Sequence, residues 1–356
     1  IALVPAGALQ AGIVRAEAGI VRTDPAAAGA IYRHALGRAV LWVPATSALL
    51  VAAAVAAGAI ADAPAGPLAL TVAVIAPIPF LFLALGQLQA EHRFNGFSGA
   101  LSLIGVPRPI FFLPLFAIVP GVYAGLLASA GAMAVAAAVA LILTAARLRS
   151  AGPAPAAGRG AFSKSLAPLA AGLSGVAVFA NLDIVVAEIA LPGASAGRYA
   201  AVAVLGKAVV LVPQAVSVAV LPRVAARRAA GQETGPLLAV AVMATLAGGL
   251  AAAGIAALIA SPLVRATYGS EFTAAAELLA PITLASTLLG VIIVLSNHHA
   301  GRGGDGFLGV IAAMALLFPL LFVPLHESGW ELVLADVIGY TAVIVAHEVM
   351  FGRGPD

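Results

Sequence analysis

The chain has no cysteine, which excludes disulfides, thiolate metal sites and a cysteine nucleophile. Charge is scarce too: Asp, Glu, Lys and Arg together supply 9% of 356 residues, and aromatic side chains 6%. A soluble domain carries roughly a quarter of its residues charged, so a water-facing globule is excluded. No Gly-x-x-x-x-Gly-Lys loop is present, so ATP bound to this chain cannot power it. No long polar segment with clustered Ser, His, Asp or Glu is present. The longest outer connection, about 261 to 275, offers only Arg265, Tyr268 and Glu271, which argues against an enzyme.

What the chain has in abundance is apolar length. Hydrophobic residues make up 62%, and the mean hydropathy is +1.10. The runs are Ala/Val/Leu-rich and longer than about 20 residues, rather than alternating ten-residue segments, so the spans are helices and not barrel strands. The fold class is an all-α polytopic membrane protein. The net charge of +3 and pI of 9.6 do not signal nucleic acid, because the basic residues sit at span ends, where topology accounts for them.

Residues 1 to 14 are too short to cross about 30 Å of hydrocarbon and read as the tail of a truncated span. A polar connection at 15 to 38 follows. Full spans are expected at 39–62, 66–89, 99–121, 122–147, 166–191, 198–221, 237–260, 276–298, 306–325 and 330–350. Alternating the connections puts Arg15, Arg22, Arg33, Arg38, Arg93, Arg147, Arg149, Arg159, Lys164, Arg223, Arg227, Arg228, Arg302 and Arg353 on one side, and only Arg198 and Arg265 on the other. That bias makes the basic side, with the C-terminus, cytoplasmic, and the expected location a plasma or inner membrane.

Leu3-Val4-Pro5 with Arg15 recurs as Leu211-Val212-Pro213 with Arg223, and Ala76-Pro77-Ile78 with Gly86 recurs as Ala280-Pro281-Ile282 with Gly290. Preserved order at one offset and equal orientation point to two parallel-repeat lobes. The expected division is an N-terminal lobe at 1–146 with a partial helix and four spans, a cytoplasmic linker at 147–165 containing Gly152-Pro153-Ala154-Pro155, and a six-span C-terminal lobe at 166–356. Two six-helix lobes then imply that a first helix is missing and the second truncated.

The polar residues inside these spans are few, and each is costly in hydrocarbon. The helix pair around the turn at 192–197 carries Asn181, Asp183 and Glu188 on one arm and Lys207 and Gln214 on the other. Asp183 and Lys207 are each twelve residues from position 195, so they lie at equal depth and pair if they face each other. Such a pair is either a static neutralisation or a switch that an ion or proton opens. Arg108, in Pro107-Arg108-Pro109, lies about 13 Å inside a span; it either snorkels to headgroups or offers a guanidinium fork to phosphate oxygens. Asp336 either lines the pathway or bonds a neighbouring helix. His298, His299, His326 and His347 read as interfacial, with no metal-ligand spacing, and Trp330, Tyr340 and Tyr199 as interface anchors. No metal or cofactor is expected.

The run NLDIVVAEIALPGASAGRYAAVAVLGKAVVLVPQAVSVAVLPRVA, residues 181 to 225, resembles the seventh and eighth helices of polysaccharide-type flippases of the multidrug/oligosaccharidyl-lipid/polysaccharide (MOP) exporter superfamily. Its landmarks are Asn-x-Asp, Ala-Gly-x-Tyr-Ala and Leu-Pro. GQLQAEHRFNGFS at 86–98 and SPLVRATYGSEFTAAAELL at 261–279 are similar to that family's fourth helix end and ninth-to-tenth connection. The resemblance implies a V-shaped fold alternating between inward-open and outward-open states and a lipid-pyrophosphate-linked glycan as cargo. On that expectation Arg108 and Lys207 bind the headgroup, and Asp183, Asn181, Gln214 and Asp336 form an ion pathway for H+ or Na+. Partners are the glycan lipid and membrane lipids, not nucleic acid. The competing functions are a drug/cation antiporter of the same superfamily and a membrane-embedded glycan ligase or polymerase.

Overall fold

The computed structural model describes residues 3–18, 20–61, 65–152 and 156–352. Pro153, Ala154, Pro155 and Arg353, used above, lie outside them. Fourteen α-helices and three 3₁₀ segments make up the described chain, with no strand among those residues. Among the described residues nine stretches are long and apolar enough to cross a membrane: Leu70–Ala90, Phe94–Phe116, Gly121–Arg149, Phe162–Ala190, Ala194–Ala229, Gly235–Tyr268, Ser270–Arg302, Asp305–Phe322 and Gly329–Phe351. The further span expected at 39–62 falls, as far as residue 61, within the helix Pro25–Ala61, and residue 62 lies outside the described residues.

The chain forms two compact units, residues 2–167 and 168–356. The first contains α1 (Leu3–Glu17), α2 (Pro25–Ala61), α3 (Ala65–Ile75), α4 (Ile78–Ala90), α5 (Phe94–Ser102), α6 (Pro107–Phe116) and α7 (Gly121–Arg149). The expected polar connection at 15–38 is mostly helix. Asp24 Oδ1 accepts a 2.9 Å hydrogen bond from the Ala27 amide and Pro25 occupies the first turn, so the N-cap and the fixed proline φ start α2 about fourteen residues early. The span at 66–89 is broken before Pro77, which starts α4, and the one at 99–121 before Pro107, which starts α6. α4 is the hub, packing on α1, α2, α5 and α7.

The second unit contains most of α8 (Ala156–Ala190), then α9 (Ala194–Lys207), α10 (Leu211–Ala229), α11 (Gly235–Tyr268), α12 (Leu279–Arg302), α13 (Asp305–Leu317) and α14 (Gly329–Phe351). α8 starts ten residues before its expected span, inside the stretch expected at 147–165, and α7 runs on to Arg149. The helix carries Gly158, Gly160 and Pro168 inside it rather than ending at any of them. α12 is the hub here: 78% of its apolar stretch is buried, against α9, α10, α11, α13 and α14.

Each unit repeats one packing order. α1 lies on α4 as α10 lies on α12; α2 on α4 as α11 on α12; α7 on α4 as α14 on α12. In lipid there is little hydrophobic gain from helix association, so contact depends on small residues that let backbones approach. Gly86 and Gly290, matched in the sequence, supply that approach. A Cβ on Gly86 would sit 2.8 Å from the Gln10 carbonyl oxygen, and one on Gly290 would sit 2.8 Å from Pro213 Cγ.

Candidate functional site

The site is built where α8, α9 and α14 meet. α9 ends at Lys207 because Pro213, three positions into the following helix, cannot donate to residue 209; the chain tightens into a 3₁₀ turn at Ala208–Val210 before α10 begins. Lys207 therefore stands at a helix C-terminus, where the backbone dipole favours a cation. On the facing arm Asp183 is fully buried. Lys207 Nζ lies 2.5 Å from Asp183 Oδ1 and donates to the Ala180 carbonyl at 2.8 Å, so the two residues at equal depth do face each other.

Tyr199 completes the carboxylate shell: its hydroxyl donates to Asp183 Oδ2 at 2.8 Å. This corrects its reading as an interface anchor. Tyr199 is 1% exposed and sits eight residues before Lys207, nearly on the same helix face, so it turns inward with it. Tyr340 is corrected likewise. It is buried against Phe179 and Phe318, and its hydroxyl donates to the Phe179 carbonyl at 2.6 Å. A tyrosine buried in hydrocarbon has to find such an acceptor.

Asp336, one helical turn before Tyr340 on α14, is 3% exposed and near enough to Asp183 and Lys207 to feel both charges. Its Oδ1 has no hydrogen bond among the described residues. The cluster holds two carboxyl groups and one ammonium, so with both acids ionised it carries one net negative charge that a proton or a monovalent cation can neutralise. A group so buried cannot be left charged and unpaired without a large penalty.

The other expected site residues stay apart from this cluster. Asn181 is about 200° around α8 from Asp183; it is exposed and its Nδ2 bonds back to the Ala177 carbonyl at 2.8 Å. Gln214 is exposed on α10. Arg108 is exposed in the first turn of α6, and its guanidinium has no partner among the described residues. Trp330 is 52% exposed and donates to Glu277 Oε1 at 3.2 Å, as an anchor at a span end does.

Two polar clusters were not anticipated. In the second unit, His299 Nε2 and His347 Nε2 approach to 3.1 Å, His347 Nδ1 bonds Glu348 Oε1 at 3.0 Å, and His298 bonds Thr234 at 3.0 Å. His299 and His347 come from different helices, and His298 and Thr234 lie 64 residues apart, pairings that spacing along one helix cannot show. No group of three or more metal-binding side chains occurs among the described residues. In the first unit, Glu17, Gln87, Glu91 and Arg147 converge from α1, α4 and α7.

With this geometry in hand, comparison with solved structures is informative. The chain aligns over 98% of its length with the Vibrio cholerae MATE transporter VcmN in its bent form, at TM-score 0.71, 15% identity and 84% coverage of that chain. It aligns over 99% with the eukaryotic MATE transporter AtDTX14, at TM-score 0.76, 14% identity and 84% coverage. An outward-facing multidrug resistance MATE family transporter of the MOP superfamily gives TM-score 0.73 at 16% identity over 98% of this chain and 83% of that one. The fold is that of the MATE transporters. The chain divides into two compact units, in line with the two lobes expected from the internal repeat. No family model matches the sequence, and no curated protein does.

Proposed function

We propose that this chain is an ion-coupled transporter of the MOP type that moves a lipid-(pyro)phosphate-linked oligosaccharide from the cytoplasmic to the outer leaflet by alternating access. One observation carries the coupling: a buried ion pair, Asp183 with Lys207, sits beside a second carboxyl group, Asp336, that lacks a cation of its own. A proton or sodium ion entering at Asp183 or Asp336 competes with Lys207 and releases its ammonium. Binding energy of an ion is thereby converted into a rearrangement of α8 against α9, the two-state element that coupling requires. The cargo follows from the residues at 86–98, 181–225 and 261–279 that resemble polysaccharide flippases. It also follows from Arg108, whose unpartnered guanidinium suits a phosphate fork. The basic face is then cytoplasmic, and the chain performs no covalent chemistry.

A second reading, a drug/cation antiporter, is favoured by the multidrug transporter that shares this fold. The two separate in proteoliposomes. The flippase reading expects a fluorescent lipid-pyrophosphate oligosaccharide to be flipped, with flipping lost in Asp183→Asn and a cationic dye left unmoved. Dye transport driven by an ion gradient, without lipid flipping, would overturn the cargo and support the antiporter.

A further inference from the structure

Glu17, the last residue of α1, belongs to the polar segment before α2, yet its side chain is fully buried. The Gln87 amide nitrogen donates to Glu17 Oε2 and to Glu91 Oε1, both at 3.0 Å. Glu91 is already served by two guanidinium groups: Arg147 Nε lies 2.6 Å from Oε1, and Arg93 Nη1 3.2 Å from Oε2. Glu17 has no hydrogen bond from either. Arg147 spends its Nη1 on the Pro25 carbonyl at 3.2 Å, and Arg93 its Nη1 on the Leu143 carbonyl at 2.9 Å. On the α2 side Tyr32 senses the Glu17 charge, and its hydroxyl is engaged with Thr144 at 2.8 Å. This leaves two buried oxygens on the contacting pair without a hydrogen bond, Glu17 Oε1 and Gln87 Oε1. Both are acceptors, and an acceptor buried without a donor is destabilising.

One proton resolves both. On Glu17 Oε1 it supplies the donor that Gln87 Oε1 lacks, while the Gln87 amide continues to donate to Oε2, closing a ring of two hydrogen bonds between acid and amide. We propose that Glu17 is a proton-binding site at the end of α1, distinct from the Asp183 cluster, and that its proton clasps α1 to α4 through Gln87. Loss of the proton sets a carboxylate oxygen against the amide oxygen and a second negative charge beside Glu91, so the clasp opens and the end of α1 is released. The environment agrees. Burial first, and the Glu91 carboxylate next among the raising causes, push the Glu17 carboxyl up to about 8, against the opposing Gln87 hydrogen bond and the Arg147 charge.

The site is read without any cargo, so its test does not depend on what the chain transports. In purified full-chain protein in nanodiscs, infrared difference spectra between about pH 6 and about pH 10 should show a protonated-carboxyl band that titrates with a midpoint near 8. The band should be missing from Glu17→Gln. In Glu91→Gln, which removes the neighbouring negative charge and frees Arg147, the midpoint should fall by at least about one pH unit. Absence of a titrating band in the wild-type protein, its persistence in Glu17→Gln, or an unmoved midpoint in Glu91→Gln would each overturn the proposal. Loss of the band on adding sodium at fixed pH would also overturn it, by making the site a cation site.

Discussion

Removing the two charges of the Asp183–Lys207 pair singly and together tests whether the pair is what keeps them tolerable inside the membrane. The singles should not be equal. Lys207→Met leaves Asp183, fully buried, with only the Tyr199 hydroxyl as a donor, and an uncompensated buried charge costs about 3–5 kcal/mol. Asp183→Asn leaves Lys207 with the Ala180 carbonyl at 2.8 Å, a helix C-terminus and a side chain 15% exposed, while the asparagine still accepts from Tyr199. Its cost should fall nearer to about 1–3 kcal/mol. The double variant loses neither partner of an ion pair, because none remains, so it should recover most of the loss, and the coupling energy should reach about 2 kcal/mol or more. Thermal unfolding in one detergent at one pH, followed by circular dichroism, measures all four corners of the cycle. Strict additivity, or singles within about 0.5 kcal/mol of wild type, would refute the pair as an energetic unit. Transport then separates its roles: a static pair predicts that the double variant also regains flipping, whereas a switch predicts a stable protein that does not transport.

Tyr199→Phe removes one donor to the Asp183 carboxylate and should cost about 1.5–3 kcal/mol, less than Lys207→Met, by the same unfolding assay. Glu17 should make stability depend on pH. The folded state holds its proton to about 8 and a free carboxyl only to 4.5, so stability is full below about 4.5, declines as pH rises to about 8 and is level above. The decline is about 5 kcal/mol at most and should be absent in Glu17→Gln when unfolding midpoints are compared across that range. Gly86→Val and Gly290→Val should each cost about 1–3 kcal/mol by overpacking, measured as lowered melting temperature, since a side chain at either position meets the neighbouring helix. Arg108→Ala should leave the unfolding transition unchanged, because the side chain is exposed and unpartnered among the described residues, while abolishing flipping of the lipid-pyrophosphate cargo; Arg108→Lys should restore it only in part.

The membrane class, the helical spans and the repeat were legible because they rest on properties that accumulate along the chain: apolar length against bilayer thickness, and small residues recurring at one offset. The Asp183–Lys207 pair was legible too, since a short turn forces antiparallel arms and equal chain distance gives equal depth. Local punctuation was there but harder to weigh. Asp24-Pro25 is an N-cap with a proline at the first turn, and it moved the start of α2 into what composition marks as a polar connection.

What only the tertiary structure decided is which faces meet. Whether Tyr199 and Tyr340 sit at a headgroup or against a buried carboxylate depends on the rotation of α9 and α14 about their own axes. That rotation is set by packing against α8 and α12, not by span limits. Asp336 joining Asp183, His299 meeting His347, and Glu17 meeting Gln87 beside Arg147 all link residues 48 to 153 positions apart or on separate helices. Hydropathy is a one-dimensional sum and carries depth but not direction. A buried polar side chain is specified by direction, because in hydrocarbon its only stabilisation is the one partner it points at.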